Sequence, residues 1–186
     1  MFKILIRNIN HETIDEEYWL NLCSQKKRES IMKYKHLDQK RSLMAEKMVK
    51  EYLIETYGFL IEDLVIESTE KGKPYFSLIK HINFSISHSE DYVMVGISNQ
   101  FISVDVEKIS NDYVDIINIL HIEEQNYLKN NHNQIEFYKI WTKKECYVKF
   151  LGIGFELMPD EFSIMSLYTN MKSIIFNGYV FTYFLN

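Results

Sequence analysis

Apolar and polar residues alternate along several short stretches of the chain, and this period of two is typical of β-strands. The clearest stretch is 101–107, FISVDVE, in which every second residue from Ile102 onward is apolar. Turns are predicted at 72–74, 99–100 and 177–178, where Gly, Pro or Asn residues interrupt the pattern. Strands are therefore predicted at 3–8, 64–68, 82–87, 92–98, 101–107, 162–167, 173–176 and 179–184.

Apolar residues at spacings of three and four predict helices in the remaining segments. The two longest run from about 38 to 57 and from about 134 to 151, and Gly58 and Gly152 follow them as stop signals. Thr13, Ser24 and Asp38 are predicted to cap the N-termini of helices. Shorter helices are predicted at 14–22, 24–34, 113–120 and 123–130.

The order strand, helices, strands occurs twice along the chain. This order predicts an α+β fold with two similar α/β subdomains related by a pseudo-twofold axis, each a small and mainly antiparallel sheet packed on a long helix. The subdomains are predicted at 1–101 and 102–186, and because no linker separates them they should pack directly together. A cleft between two such lobes is a favoured place for a ligand.

The composition is that of a folded protein, with 46% hydrophobic and 25% charged residues in a chain of 186. No apolar run approaches the length of a membrane span, and the amino-terminal stretch lacks the features of a signal peptide. Cys23 and Cys146 lie far apart without a C-x-x-C motif, so neither a disulfide framework nor a zinc site is indicated. We therefore expect a cytoplasmic protein with no membrane partner.

Positive charge is concentrated between residues 26 and 50, where nine Lys and Arg residues and three acidic residues give a local charge of +6. The whole chain carries −5, so the rest of it carries −11. A basic cluster in an acidic protein favours a specific anionic ligand, although a solvated helix face would produce the same pattern. Tyr34 is the only aromatic residue among the early basic positions, which argues against nucleic-acid binding.

Two carboxylates share one face of the strand at 101–107, because Asp105 and Glu107 are two positions apart and about 7 Å from each other along the strand. A pair so close suits a hard, oxygen-seeking cation such as Mg²⁺, although the solvated face of an amphipathic strand gives the same pattern. Glu145 and Lys149 share a helix face, as ordinary surface ion pairs also do. If Glu145 points toward the cleft, the three carboxylates together would make a magnesium site.

The polar stretch Ser87-His88-Ser89 ends a predicted strand. His88 could bind a phosphate, transfer a proton or cap the turn. A Ser-His hydrolytic nucleophile is disfavoured, because the glycines of a nucleophile elbow are absent and the sequence indicates no acid to orient the histidine.

Four motifs, taken in order, resemble the signature motifs of 4′-phosphopantetheinyl transferases of the surfactin-synthetase-activating type. They are GKP at 72–74, FSISHS at 84–89, SVDVEK at 103–108 and WTKKECYVKFLGIG at 141–154. Each motif is weak alone, but their order and the intact W-T-x-K-E-x-x-x-K pattern make the set specific, and the resemblance spans 24–154. The chain departs from the family at Ser103, where Gly is usual, at Cys146, where Ser or Ala is usual, and at Ser30, where Lys is usual.

The resemblance implies an enzyme that transfers the phosphopantetheine arm of coenzyme A to a serine of an acyl or peptidyl carrier protein and releases adenosine 3′,5′-bisphosphate. It implies Mg²⁺, or Mn²⁺ in its place, as the metal cofactor and coenzyme A as the co-substrate. It implies that Asp105, Glu107 and Glu145 hold the metal, that Glu145 is the general base and that Lys149 contacts the transferred phosphate. It also implies that the coenzyme is bound by Lys27 and Arg41 at its 3′-phosphate, by Lys73 near its adenine, and by Ser87 and His88 at its phosphates.

The carrier protein is expected to dock near residues 112–134, and the pathway implied is secondary-metabolite biosynthesis. Two complementary halves in one chain favour a monomer, and no nucleic-acid partner is expected. Two other hypotheses stay open at this point. One is a metal-dependent nucleotide pyrophosphate hydrolase that uses the same carboxylates with water, and the other is a non-catalytic binding module that uses the basic segment at 26–50.

Overall fold

The computed structural model describes residues 1–131 and 133–186, except for the side chains of Asp115 and Phe155. Its strands are β1 (Phe2–Asn8), β2 (Ile66–Ser68), β3 (Pro74–Phe76), β4 (Asn83–Ser89), β5 (Tyr92–Ser98), β6 (Ile102–Lys108), β7 (Lys172–Phe176) and β8 (Tyr179–Leu185). Its α-helices are α1 (Glu16–Asn21), α2 (Gln25–Ile31), α3 (His36–Tyr57), α4 (Tyr113–Ile116), α5 (Ile122–Asn130) and α6 (Gln134–Leu151). Short 3₁₀ helices occur at Ile61–Asp63, Ile117–Ile119, Gly154–Glu156 and Met165–Asn170. None of the helices described has the length and hydrophobicity that a membrane crossing needs.

Two three-stranded antiparallel sheets contain most of the strand residues, in the orders β1-β5-β4 and β6-β8-β7. The strands β2 and β3 pair separately as a short ribbon. Asn177 and Gly178 join β7 to β8 with φ angles of 49° and 78°. Two successive residues with positive φ are what a type I′ hairpin turn requires, so the turn predicted at 177–178 is confirmed.

Each sheet packs against one long helix. Val49 and Leu53 of α3 are fully buried in a core shared with the first sheet, and Phe137 of α6 is fully buried in a core shared with the second. Gly58 ends α3 with a φ of 70°, and Gly152 ends α6 with a φ of 69°. The predicted α+β class, a small antiparallel sheet on a long helix in each half, is confirmed.

The two sheets meet at an inter-sheet interface, which we define as the contact of β4 and β5 with β6. A Cβ at Gly96 of β5 would lie only 2.6 Å from Val104 Cγ1 and 2.8 Å from Ile102 Cδ1 of β6. Buried side chains from both sheets, such as Met94 and Phe181, form one cluster beside this contact. The halves therefore share a packed core, while the boundary between residues 101 and 102 stays a prediction.

The strand predicted at 162–167 is wrong. The chain there enters the 3₁₀ helix Met165–Asn170, and its backbone is held by the buried side chains of Lys144 and Glu124. These tertiary hydrogen bonds outweigh the local alternation of apolar residues. The strand β3 was not predicted, because three residues carry too little periodicity to be recognised.

The predicted helix caps are partly wrong. Ser24 caps α2 as expected, but α1 is capped by Asp15 and not by Thr13. The helix α3 begins at His36, earlier than expected, so Asp38 lies in its first turn. Asp is favoured both at the N-cap and in the first turn, where it interacts favourably with the helix dipole, so its presence marks the helix start only to within a few residues.

Replacing Gly96 with alanine should destabilise the protein, because the new methyl group would overlap Val104 and Ile102 across the inter-sheet interface. Overpacking of this kind costs about 1–3 kcal/mol in the free energy of unfolding, which chemical denaturation can measure. In a Val104→Ala background one of the two overlapping groups is gone, so the same substitution should cost less. An equal cost in the two backgrounds would contradict the close approach of the sheets.

Candidate active site

The two carboxylates of β6 lie against the hydroxyl groups of β4. Ser87 Oγ donates a hydrogen bond of 2.8 Å to Asp105 Oδ1, and Ser89 Oγ donates one of 3.0 Å to Glu107 Oε2. Asp105 is only 3% exposed, and Glu107 is half-buried. The pair is therefore not the solvated face of a strand, because both side chains are held within the inter-sheet interface.

Lys149 of α6 completes this cluster from the second half of the chain. Its ammonium lies 2.6 Å from Asp105 Oδ1 and donates to Ser87 Oγ at 3.0 Å. A further hydrogen bond of 3.2 Å reaches the carbonyl oxygen of Val104. Burial disfavours the charged amine, but the adjacent Asp105 carboxylate outweighs this and raises the pKa of Lys149, so that the amine stays protonated.

The negative charge of the cluster exceeds the charge of Lys149. Burial, and then repulsion from Asp105, raises the pKa of Glu107 to about 7, although hydrogen bonds from Ser89 and Trp141 oppose the shift. Burial, followed by repulsion from Asp105, also raises the pKa of Glu145. Asp105 therefore repels both Glu107 and Glu145, and the ammonium of Lys149 offsets part of this negative charge.

These carboxylates have the chemistry that a divalent cation needs. Asp105 Oδ2 is buried and has no hydrogen-bond partner, so one hard oxygen ligand is available. Within the described residues, no three acidic, His or Cys side chains already lie close enough together to enclose a metal ion. The donor set fits a cation in its charge and its unpaired oxygen, and the Lys149 ammonium now takes part of the neutralising role.

A cavity of about 210 Å³ opens beside Glu145 and Lys149. Its other walls are the turn at 71–74, the β4 residues 84–86, and two glycines after α6. Lys73 lines this cavity, and its ammonium donates a hydrogen bond of 3.0 Å to the carbonyl oxygen of Phe150. Burial lowers the pKa of Lys73. The structure thus brings the GKP motif at 72–74 and the α6 motif at 141–154 to the same cavity.

A second cavity, of about 380 Å³, adjoins the first at Ile86 and contains His88 and Lys27. The ammonium of Lys27 is paired with Glu46, which is completely buried. Arg41 is bound to Asp38 at 2.6 Å and, through its Nε, to the carbonyl oxygen of Glu90 at 2.7 Å. Lys27 and His88 therefore line the same cavity, while Arg41 is bound by its own helix and by the β4–β5 turn. Burial, and then the charge of Arg41, lowers the pKa of His88, so Arg41 also lies close to this histidine.

A groove of about 450 Å³ also borders Glu145. Its lining is mainly apolar and includes Ile119, Trp141, Met158 and Phe162. Glu145 lines both this groove and the first cavity, as Val148 and Gly154 also do, so this residue lies where the two spaces meet. Such an arrangement suits a group that receives a proton from one molecule while a second molecule occupies the neighbouring cavity.

The sequence reasoning missed two residues that contact the cluster. Ser89 holds Glu107, and Trp141 contributes a hydrogen bond to the same carboxylate. The signal for Ser89 was present, since Ser85, Ser87 and Ser89 alternate on one face of β4 and an alternation of serines is unusual on a buried strand face. Trp141 belongs to the motif at 141–154, but its partner Glu107 lies on β6, far from it in the sequence.

Comparison with known proteins gives matches along almost the whole chain. A family model described as "4′-phosphopantetheinyl transferase, N-terminal" matches residues 11–100, and one described as "4′-phosphopantetheinyl transferase superfamily" matches residues 101–184. The "4′-phosphopantetheinyl transferase gsp" of Aneurinibacillus migulanus is 32% identical over 76% of this chain and 61% of its own length. The "4′-phosphopantetheinyl transferase Sfp" of Bacillus subtilis (strain 168) is 28% identical over 81% of this chain and 69% of its own length.

A mammalian relative is more distant and longer. The "L-aminoadipate-semialdehyde dehydrogenase-phosphopantetheinyl transferase" of Mus musculus is 25% identical over 70% of this chain and 48% of its own length. The chain thus spans about half to seven tenths of the length of the curated relatives it matches.

In the metal-free protein, the carboxyl group of Glu107 should titrate near pH 7, well above its ordinary value of 4.5. Since the folded state favours the protonated form, the stabilising contribution of this group is complete below about pH 4.5 and is lost as the pH rises through about 7. Carbon-13 NMR of the side-chain carboxyl measures the midpoint. Asp105→Asn should lower it, because one source of repulsion is gone, whereas removing a carboxylate outside the site, by Asp63→Asn, should not. A wild-type midpoint below about 5 would contradict this account.

Proposed function

The chain belongs to the 4′-phosphopantetheinyl transferase superfamily, and on that premise we propose that it transfers the phosphopantetheine arm of coenzyme A to a serine of an acyl or peptidyl carrier protein. The observation that carries the proposal is the meeting of α6 with β6. There Lys149 binds Asp105, and Glu145 lies between a cavity and a groove. A molecule in the cavity and a second molecule in the groove would both lie next to Glu145.

We propose that Asp105, Glu107 and Glu145 hold Mg²⁺, with Mn²⁺ able to replace it. The unpartnered buried oxygen of Asp105 and the raised pKa values of Glu107 and Glu145 support this assignment, because each indicates negative charge that the protein alone does not neutralise. A bound divalent cation would neutralise the pyrophosphate of coenzyme A and polarise its oxygens. This is also the reason to expect that a chelator abolishes the reaction.

Glu145 would act as the general base of the transfer. Its carboxylate would accept the proton of the carrier serine while the serine oxygen bonds to the phosphorus that bears the pantetheine. The bond from this phosphorus to the adenosine 3′,5′-bisphosphate breaks, and the leaving group keeps the electron pair. A carboxyl group with a raised pKa is a stronger base than an ordinary glutamate, and the ammonium of Lys149 would stabilise the charge that develops on the transferred phosphate.

Coenzyme A would occupy the two adjoining cavities. Lys73 would lie near the adenine in the first, while His88, with Ser87 beside it, would bind the phosphates. Lys27 and Arg41 would bind the 3′-phosphate. Because Lys27 is paired with Glu46 and Arg41 with Asp38, each contributes less net positive charge than a free cation, and binding would partly redirect these contacts.

The carrier protein would approach from the groove side of Glu145. Ile119 lines the groove and is 38% exposed, and three other exposed apolar residues lie in the same segment of the chain: Val114, Ile116 and Ile122. They lie in the segment 112–134 where the carrier contact was expected, and an apolar patch allows an acidic chain to bind a carrier without requiring opposite charge. The reaction needs one copy of the chain, so the proposal includes a monomer. A cytoplasmic location and a role in secondary-metabolite biosynthesis belong to the same proposal.

The direct test is the intact mass of an apo carrier protein after incubation with this protein, coenzyme A and Mg²⁺. We expect a gain of about 340 Da, one phosphopantetheine arm on one serine, and no gain when EDTA is present. Consumption of coenzyme A without a gain in carrier mass would instead indicate a pyrophosphate hydrolase. If neither coenzyme consumption nor mass gain occurred with several carriers, the transferase assignment would be wrong and a binding role would take its place.

The substitution Glu145→Gln should reduce the rate of carrier modification by about 100-fold or more, because it removes a general base. Binding of coenzyme A, measured by calorimetry, should persist. Glu55→Gln makes the same chemical change at an exposed position of α3 and should leave the rate unaltered. A Glu145→Gln enzyme with a near-normal rate would exclude this residue as the base.

A further inference from the structure

Serine hydroxyl groups join β4 to β6 across the inter-sheet interface. Ser85, Ser87 and Ser89 share one face of β4, because they occupy alternate positions of the strand. Ser85 Oγ accepts a hydrogen bond of 3.1 Å from the backbone N–H of Val104, and Ser89 Oγ accepts one of 3.1 Å from the backbone N–H of Lys108. The two strands belong to different sheets, so these side chains link them where no ladder of backbone hydrogen bonds exists.

Ser89 is tied to β6 at two points. A serine hydroxyl has a single proton to donate. Because Ser89 Oγ accepts from the Lys108 N–H, its position relative to β6 is set by the backbone, and its proton goes to Glu107 Oε2 at 3.0 Å. The hydroxyl therefore holds the carboxylate at a defined place on its own strand. Hydrogen bonds to an ionised acceptor are stronger than neutral ones, so this contact also favours the charged form of Glu107.

Asp105 and Glu107 differ in what anchors them. Asp105 is bound both by Ser87 and by the ammonium of Lys149, so a positive charge orients it. Glu107 receives hydrogen bonds from two neutral groups, Ser89 and Trp141, and Lys149 acts on it through its charge without a direct ion pair. The loss of one hydroxyl should therefore affect Glu107 more than Asp105.

We propose that Ser89 is a positioning residue, which orients the Glu107 carboxylate for the divalent cation of the transfer reaction. The inference rests on the function proposed above, since it concerns the same metal site. Groups that hydrogen-bond to a metal ligand typically change metal affinity by about 10- to 100-fold when they are removed. Ser89 itself touches neither substrate nor metal in this role.

The test is a calorimetric titration of Mg²⁺ into the whole protein in the presence of saturating coenzyme A. Ser89→Ala should raise the Mg²⁺ dissociation constant by about 10-fold or more. Ser89→Thr keeps the hydroxyl and suits a strand, so it should stay within about threefold of the wild type. In the transfer assay, the same loss should appear mainly as a higher KM for Mg²⁺, with kcat largely restored at saturating metal.

Ser98 supplies a matched control at the opposite end of the same strand pair. Its hydroxyl donates to the Met1 carbonyl oxygen at 3.1 Å and accepts from the Gln100 N–H at 3.0 Å, so it also makes two hydrogen bonds in a buried strand. Both Ser98→Ala and Ser89→Ala should lower the melting temperature. Only Ser89→Ala should weaken Mg²⁺ binding.

Four outcomes would overturn the inference. If the wild type binds Mg²⁺ and Ser89→Ala binds it equally well, Ser89 does not position the ligand. If Ser98→Ala weakens Mg²⁺ binding as much as Ser89→Ala does, or if Ser89→Thr behaves like the alanine variant, the effect is one of general stability. If the wild type itself binds no Mg²⁺ with coenzyme A present, the metal-dependent function fails and this inference falls with it. Wild-type binding therefore tests the proposed function, whereas the serine variants test the role of Ser89.

Discussion

The structure depends on the ion pair between Lys149 and Asp105. A carboxylate that is 3% exposed would be strongly unfavourable without a partner, and the ammonium at 2.6 Å supplies one. The same ammonium also bonds to Ser87 of β4 and to the Val104 carbonyl oxygen of β6. One side chain of α6 thereby joins a helix of the second half to a strand of each sheet, and it fixes the site at the place where the packed sheets meet.

Other buried ion pairs anchor the elements around the site in the same way. Lys144 lies 2.8 Å from Glu124, and both are almost completely buried, so α6 is tied to α5 one residue before Glu145. Glu46 of α3 is fully buried between Lys50, at 2.7 Å, and Lys27 of α2. Breaking such a pair leaves an uncompensated buried charge, which is strongly destabilising. The charged motifs of this chain are thus partly structural, and their conservative replacement would affect both folding and function.

The cluster on β6 and α6 keeps negative charge that its ion pair does not balance. In the cluster on β6 and α6, three carboxylates share one ammonium, and the pKa of Glu107 rises to about 7 because its charge is buried and repelled by Asp105. A protein interior seldom keeps such an imbalance unless a ligand relieves it. The cavity toward the GKP turn and the apolar groove both reach Glu145. The imbalance and the two openings coincide, which is what a two-substrate transfer of a charged group would use.

The sequence by itself determined which residues share a face and where the long helices end. The period of two placed Asp105 and Glu107 together, and Gly58 and Gly152 marked helix ends, because these features depend only on local backbone geometry. Tertiary structure alone decided which partners the side chains found. The hydrogen bond from Ser89 to Glu107 and the irregular chain at 162–167 both depend on contacts between residues far apart in sequence. Local periodicity carries no information about such contacts, because burial and pairing are set by the elements that pack together.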